Sequence, residues 1–451
     1  MTASGKRSNI MDMTKGNAIK EIIFFAFPLL IGNVFQQVYS IVDTMVAGYN
    51  LGDNAIAAIG ATSSLYSLIL NFAIGMNSGF ALVVTQNFGA HDRKRFASSV
   101  SAMIILNAVI GIVMTVLSLV FISPILHLLN TPEAIFNQSR DYITYICAGM
   151  LATIAYNMFS GILRAVGNSR TSLYFLIVST VLNIGLDCLF IIVFGLGVKG
   201  AAVATVIAQL ISAILCGIYV FKSYRDLMPK KEDWKLEKET VREMLAMGSS
   251  MALMFCVVDL GSVIFQGAIN TLGEHYIAAY TSARRLIVIF MQPMVTLASA
   301  YSTFTGQNWG AGEKLRIKQA LFKVLAIEVG MSLVFCAVIF AFGSYMVSFT
   351  TGTDDPFIVS NAILSMRIHG SCFWALGILF CLRMSMQALG QKVIPVFSSI
   401  IELCMKIVSA LVFIPQLGYL GSCITEPVTW IIMMVFLMAG YLIKCTRILK
   451  A

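Results

Sequence analysis

The chain has 451 residues, 58% of them hydrophobic and 12% charged, with a formal net charge of +9. Soluble chains carry about 25% charged residues, so this is a polytopic membrane protein and length says nothing about domain number. The ten cysteines fall in apolar runs, as at Cys188, Cys216, Cys256 and Cys336. They lack metal-ligand spacing and a secreted disulfide pattern, and they read as packing residues.

In chain order, residues 1–19 are polar and basic and read as a cytoplasmic segment without a cleavable leader. Apolar runs of spanning length follow near 20–47, 54–83, 97–122, 138–163, 171–194 and 199–221. A polar segment, 222–242, separates them from six more near 243–270, 276–304, 317–348, 357–387, 393–415 and 418–443, and 444–451 form a tail. The expectation is an all-α fold of twelve transmembrane helices in two six-helix lobes, 20–221 and 243–443.

Basic residues set the orientation. Lys15, Lys20, Arg93, Lys94, Arg95, Arg164, Arg170, Lys230, Lys231, Lys314, Arg316, Lys392, Lys444 and Arg447 fall on one side, while the opposite loops hold Lys199 and acids such as Glu133 and Glu274. The bias puts both termini and the linker in the cytoplasm of an inner (plasma) membrane protein. It makes the positive charge a topology signal, and nucleic acid drops out as a partner.

The halves are copies. Gln86-Asn87-Phe88-Gly89-Ala90 recurs as Gln307-Asn308-Trp309-Gly310-Ala311, an offset of 221. Leu51-Gly52-Asp53 over Leu272-Gly273-Glu274 and Leu196-Gly197 over Leu417-Gly418 share that offset. Arg164-Ala165-Val166-Gly167 resembles Gln387-Ala388-Leu389-Gly390 nearby. Each unit has an even number of helices, so the repeats are parallel, with a pseudo-two-fold axis along the membrane normal. Two such lobes around a midplane cavity is a transporter design.

Ionisable residues at membrane depth cost about 2.5–3.5 kcal/mol on insertion scales and by default face a cavity. The first helix carries Pro28, which permits a bend, then Gln36, Tyr39 and Asp43 on one polar half. The fifth carries Asn183 and Asp187 on one face. A carboxylate there takes a proton, or with oxygen donors from Asn157, Ser160 and Thr205 holds a small cation such as Na⁺. The partner positions in the second half are Ile264, Lys406 and Ala410, so the acid pair exists once. The second half has its own charges: Asp259, Arg284, Arg285, Glu328, Arg383, Glu402, Lys406 and Glu426. Glu402 and Lys406 are spaced to pair; Arg284 and Arg285 either reach a cavity or mark a helix extending beyond the bilayer. No nucleotide-binding, metallo-hydrolase or nucleophile motif is present, which points away from an enzyme.

Val42-Asp43-Thr44 with Ala47-Gly48, the 86–90 and 307–311 repeats, the Arg164…Gly167 turn and Leu182-Asn183…Asp187 together resemble the multidrug and toxic compound extrusion (MATE) family. The helix-five pair is more similar to its DinF-like branch than to its NorM-like one. Where the latter has an acid in helix seven this chain has Val258, with Asp259 about 100° further round. The resemblance implies a monomeric antiporter, without cofactor, exporting cationic amphiphilic compounds in exchange for H⁺ or Na⁺. It implies coupling at Asp43, Asn157, Asn183, Asp187 and Thr205, with Na⁺ at Asp43, Asn183 and Asp187 if sodium is the ion. Gln36, Tyr39, Ser160 and Asp259 would serve the substrate cavity and Pro28 the hinge. Alternatives are a lipid-linked precursor flippase of the same superfamily, or a major-facilitator-type carrier.

Overall fold

The structure, a computed structural model, describes residues 10–129, 131–351 and 355–450; side chains at 38–41, 43–45, 47, 53, 351 and 450 lie outside the description. The described residues form helices and no strand. In order these are α1 (Ala18–Leu51), α2 (Asp53–Gly89), α3 (Arg93–Leu128), α4 (Glu133–Ala148), α5 (Met150–Ala165), α6 (Ser169–Asp187) and α7 (Val198–Ser223). Then come α8 (Lys238–Asn270), α9 (Glu274–Gly310), α10 (Lys314–Thr351), α11 (Pro356–Ala388), α12 (Val393–Val408), α13 (Ile414–Leu417), α14 (Tyr419–Gly440) and α15 (Thr446–Lys450). Among the described residues, 11 helices are long and apolar enough to cross a membrane, and up to 12 spans result if α4 and α5 count as one.

The α4–α5 span, expected as one continuous helix, bends by 45° at Gly149. α7 packs closely there: a Cβ on Gly149 would lie 2.2 Å from Val206. Most helices outrun their apolar runs. The Gln-Asn repeats are helical and close α2 at Gly89 and α9 at Gly310.

The duplication is written in the backbone as well as in the sequence. A π-helical turn, Cys188–Val193, follows α6, and another, Ser409–Phe413, follows α12. Each leads to a glycine with positive φ, Gly197 at 62° and Gly418 at 57°, that opens the next helix. Gly167 and Gly390, at 79° and 81°, repeat the pattern at the α5 and α11 ends. A side chain resists that left-handed region, and glycine does not, which is why these positions match across the repeat.

By contacts the chain forms two compact units. The first comprises residues up to Asp12 and Phe27–Ala252, the second Met13–Ala26 and Leu253–Ala451. The crossings therefore fall inside α1 and inside α8, whereas the sequence places the division in the polar segment 222–242. Within the first unit, Gly75 and Gly79 of α2 bring that helix so near the start of α8 that an added Cβ would lie 2.5 Å from Ala252 and Gly248. Met244, Met247 and Ala252 thereby join a core with Phe80, Phe96, Met103 and Ile162. The polar segment is itself pinned to this unit. Arg93 donates to the Asp226 and Met228 carbonyls at 2.9 and 3.1 Å and pairs with Asp233 at 3.2 Å. Ser101 donates to the Asp233 carbonyl at 2.6 Å.

The second unit centres on α9, α10, α11 and α14, with Tyr301, Phe304 and Phe373 fully buried. Its N-terminal segment is held by the second Gln-Asn repeat. Met13 donates its N–H to Gln307 Oε1 at 2.9 Å, and Asn308 donates to the Met13 carbonyl at 3.0 Å.

Candidate functional site

In the first unit α6 presents Asn183 and Asp187 one turn apart, 3% and 0% exposed. Asn183 Nδ2 donates to Thr205 Oγ1 of α7 at 3.4 Å, and Thr205 donates in turn to the Ala201 carbonyl at 3.1 Å. Asn183 Oδ1 meets no donor among the described residues. Asp187 is the last α-helical residue before the π turn, a backbone irregularity that recurs at functional positions. Two of the residues expected at a coupling site, Asn183 and Thr205, thus meet between α6 and α7, and Asp187 lies buried one turn further along α6.

The other expected residues are placed differently. Asn157 is half-buried on α5 and donates within its own helix to the Thr153 carbonyl at 2.9 Å. Ser160 shares a hydrogen bond with Ser172 at 2.5 Å and accepts from Arg164 at 2.9 Å, so its hydroxyl is engaged in tying α5 to α6. Gln36 is exposed and Pro28 is buried inside α1. The side chains of Tyr39 and Asp43 lie outside the described residues, although α1 continues through both. A Cβ on Gly32 would lie 3.2 Å from Leu176, so α1 packs against α6. These are the first and fifth spans and run in the same direction. Asp43 lies about three turns beyond Gly32 and Asp187 about three turns beyond Leu176, which gives the two backbone positions a similar depth.

The second unit holds a larger charged assembly around a cavity of ≈ 130 Å³. Arg284 of α9 donates through Nη1 to both oxygens of Glu426 on α14, at 2.7 and 2.6 Å. His369 of α11 lies between Glu426, at 3.4 Å from Nε2, and the Ser365 carbonyl, at 2.7 Å from Nδ1. Lys406 of α12, 2% exposed, donates to Glu402 and to Ser262, each at 3.0 Å. The expected Glu402–Lys406 pair therefore forms. Arg383 of α11 is 6% exposed, and its nearest carboxylate is Glu402 at 3.9 Å. Its Nε and Nη2 have no hydrogen-bond partner among the described residues.

Arg284 faces this assembly and Arg285 is exposed, as a 100° step round a helix requires. Val258 and Ser262 line the cavity; the half-buried Asp259 is not among its lining residues. Glu328 stands apart, fully buried on α10, its Oε1 3.7 Å from the Cys381 thiol. Glu426 is one of the buried charges expected from the sequence, whereas its partners lie on distant helices that no local pattern joins. The signal for His369 was available: His91, His127 and His275 lie near helix ends, and His369 lies inside a span.

Duplicated lobes of membrane-spanning helices, each with buried ionisable groups, define a membrane-transporter architecture. The MatE family model matches residues 28–189 and 250–412, one match in each half. The chain is 30% identical over 344 residues to a probable multidrug resistance protein of Bacillus subtilis, YpnP, covering 76% of this chain and 77% of that one. It is 28% identical over 362 residues to a second from the same organism, YoeA, covering 79% and 78%. A crystal structure of a MATE protein in a bent conformation superposes with a TM-score of 0.89 over 99% of both chains at 22% identity. The chain belongs to the multidrug and toxic compound extrusion family of transmembrane efflux transporters, which are not enzymes.

Proposed function

We propose that the protein is a secondary antiporter that exports cationic amphiphilic compounds in exchange for H⁺ or Na⁺, as a monomer with cytoplasmic termini. It works by alternating access of its two lobes, without a cofactor. The observation that carries this reading is the buried Asn183–Asp187 face against Thr205, with Asp43 at similar depth on the adjacent helix. A carboxylate held out of water attracts an organic cation, and a proton or Na⁺ at the same oxygens removes that attraction. Competition for one group gives negative coupling between drug and ion, which is what antiport requires. Asn183 and Thr205 supply neutral oxygens beside Asp187, the ligand type a sodium ion takes.

Asp43→Asn and Asp187→Asn each abolish ethidium export from cells at normal expression; full export by both variants would falsify the assignment. Efflux from proteoliposomes under separately imposed pH and Na⁺ gradients then identifies the ion. Pro28 interrupts the α1 hydrogen-bond ladder next to the unit crossing at Ala26–Phe27, and it serves as the hinge. Pro28→Ala slows transport without lowering drug affinity; an unchanged turnover removes the hinge from the mechanism.

A further inference from the structure

The cavity of the second unit is built for the opposite charge. Five ionic side chains line it: Arg284, Arg383 and Lys406 against Glu402 and Glu426. Two of the cations are already spoken for. Arg284 holds both oxygens of Glu426, and Lys406 holds Glu402 at hydrogen-bond distance. Arg383 is left as the surplus cation. Its guanidinium is more than nine-tenths buried, and its contact with Glu402, at 3.9 Å, exceeds hydrogen-bond length. Two of its nitrogens carry N–H groups with no acceptor among the described residues. Buried charges are ordinarily paired and hydrogen-bonded, because an unpaired one costs several kcal/mol. A guanidinium fork with open donors is matched in geometry by a planar or tetrahedral oxyanion.

From this we infer that the second-unit cavity receives one oxyanion, a carboxylate or phosphate, borne by a small organic molecule, with Arg383 as its direct partner. At ≈ 130 Å³ the space is below the ~300–1,000 Å³ of a drug-sized pocket. It takes an acidic group with a short apolar attachment and not a whole amphiphile. The rest of the wall suits such an attachment: Leu376, Leu379, Phe380, Trp430 and Met433 surround the ionic cluster. An inorganic anion would use the donors and leave those apolar surfaces uncovered. This site is independent of the first-unit carboxylates and extends the ligands of the protein to molecules carrying an acidic group.

Trp430 provides the readout, since it lines the cavity. The purified full-length protein is titrated with benzoate, phenyl phosphate, benzyl alcohol and inorganic phosphate while tryptophan emission is followed. Benzoate or phenyl phosphate should give a saturable change, at least about tenfold tighter than benzyl alcohol and than inorganic phosphate. The change should vanish in Trp430→Phe. Arg383→Gln should weaken binding at least about tenfold, and Arg383→Lys, which keeps the charge but loses the fork, should weaken it by less. Should Arg383→Gln fail to fold, Arg383→Lys decides alone by a shift of three- to tenfold. Absence of a saturable response in the wild type, or unaltered affinity in the arginine variants, overturns the proposal. So does inorganic phosphate binding as tightly as the organic anions.

Discussion

At the scale of single residues the second unit shows how charge is tolerated inside a membrane-spanning bundle. Glu426 accepts from Arg284 and lies against His369, so its carboxylate is compensated from two helices. Removing one member of such a pair strands the other in a low-dielectric setting and costs about 3–5 kcal/mol, whereas replacing both with apolar groups is often neutral. Glu426→Gln is therefore expected to lower the thermal unfolding temperature clearly, and Arg284→Met with Glu426→Leu to restore most of the loss. A double variant as unstable as the single one would show that the carboxylate has a role beyond the pair. The two arginines of α9 illustrate what sequence can and cannot say. That Arg284 and Arg285 point to different sides of α9 follows from helical geometry, while the sequence leaves open whether either reaches a cavity. That Arg284 does, and that its partner is 142 residues away, does not follow, because no local pattern encodes a contact between distant helices. The Glu402–Lys406 pair was legible for the converse reason: its partners are one turn apart.

At the scale of elements, spans and repeats were readable because apolar length and matched glycines are local signals. The departures from regular helix were not. The π turns at Cys188–Val193 and Ser409–Phe413 have no residue signature; the first reads CLFIIV and the second SALVF. The bend at Gly149 lies against Val206 of another helix, a contact no local pattern encodes. The α2–α8 contact is likewise long-range, though it uses glycines the sequence displays. At Gly79 an added methyl would lie 2.5 Å from the backbone of Gly248, and backbone cannot rotate away as a side-chain tip can. Gly79→Ala must push the two helices apart, at about 1–3 kcal/mol for an overpacked core. Gly60→Ala, whose Cβ meets nothing within 4 Å, is the control and should leave stability unchanged or slightly raised. Equal melting temperatures for the two variants would mean that α2 and α8 are less closely packed than described.

At the scale of the whole molecule, the same ancestral half has been kept as scaffold and divided in chemistry. The backbone repeats to within a few degrees at Gly167 and Gly390 and at Gly197 and Gly418, while the polar groups at depth differ in kind. The first unit keeps Asn183 and Asp187, and the second keeps a cationic cluster. The duplicated Gln-Asn sequence has diverged in the same way. In the first unit Gln86 and Asn87 are half-buried, while in the second Gln307 and Asn308 are fully buried and hold the chain at Met13. Arg316 completes that hold by donating to the Gly16 and Lys15 carbonyls at 2.7 and 2.8 Å and to Glu21 at 2.9 Å. The stretch from Met13 through the first turn of α1 is thus fixed within the second unit by hydrogen bonds, buried at Gln307 and Asn308 and more exposed at Arg316, each worth about 0.5–1.5 kcal/mol net and more where a charge takes part. Its local opening should therefore be controlled by these few bonds and not by global unfolding. Arg316→Ala removes the charged ones together and leaves the Gln307 and Asn308 bonds in place. In limited trypsin digestion of the folded protein, cleavage after Lys15 and Lys20 should rise on the order of tenfold or more, the factor that about 1.4 kcal/mol or more of lost local stability implies. Melting of the whole chain should shift little. If cleavage at these lysines stays at the wild-type rate, Arg316 does not hold the segment; if it rises only together with a large fall in melting temperature, the segment opens with the unit and not ahead of it.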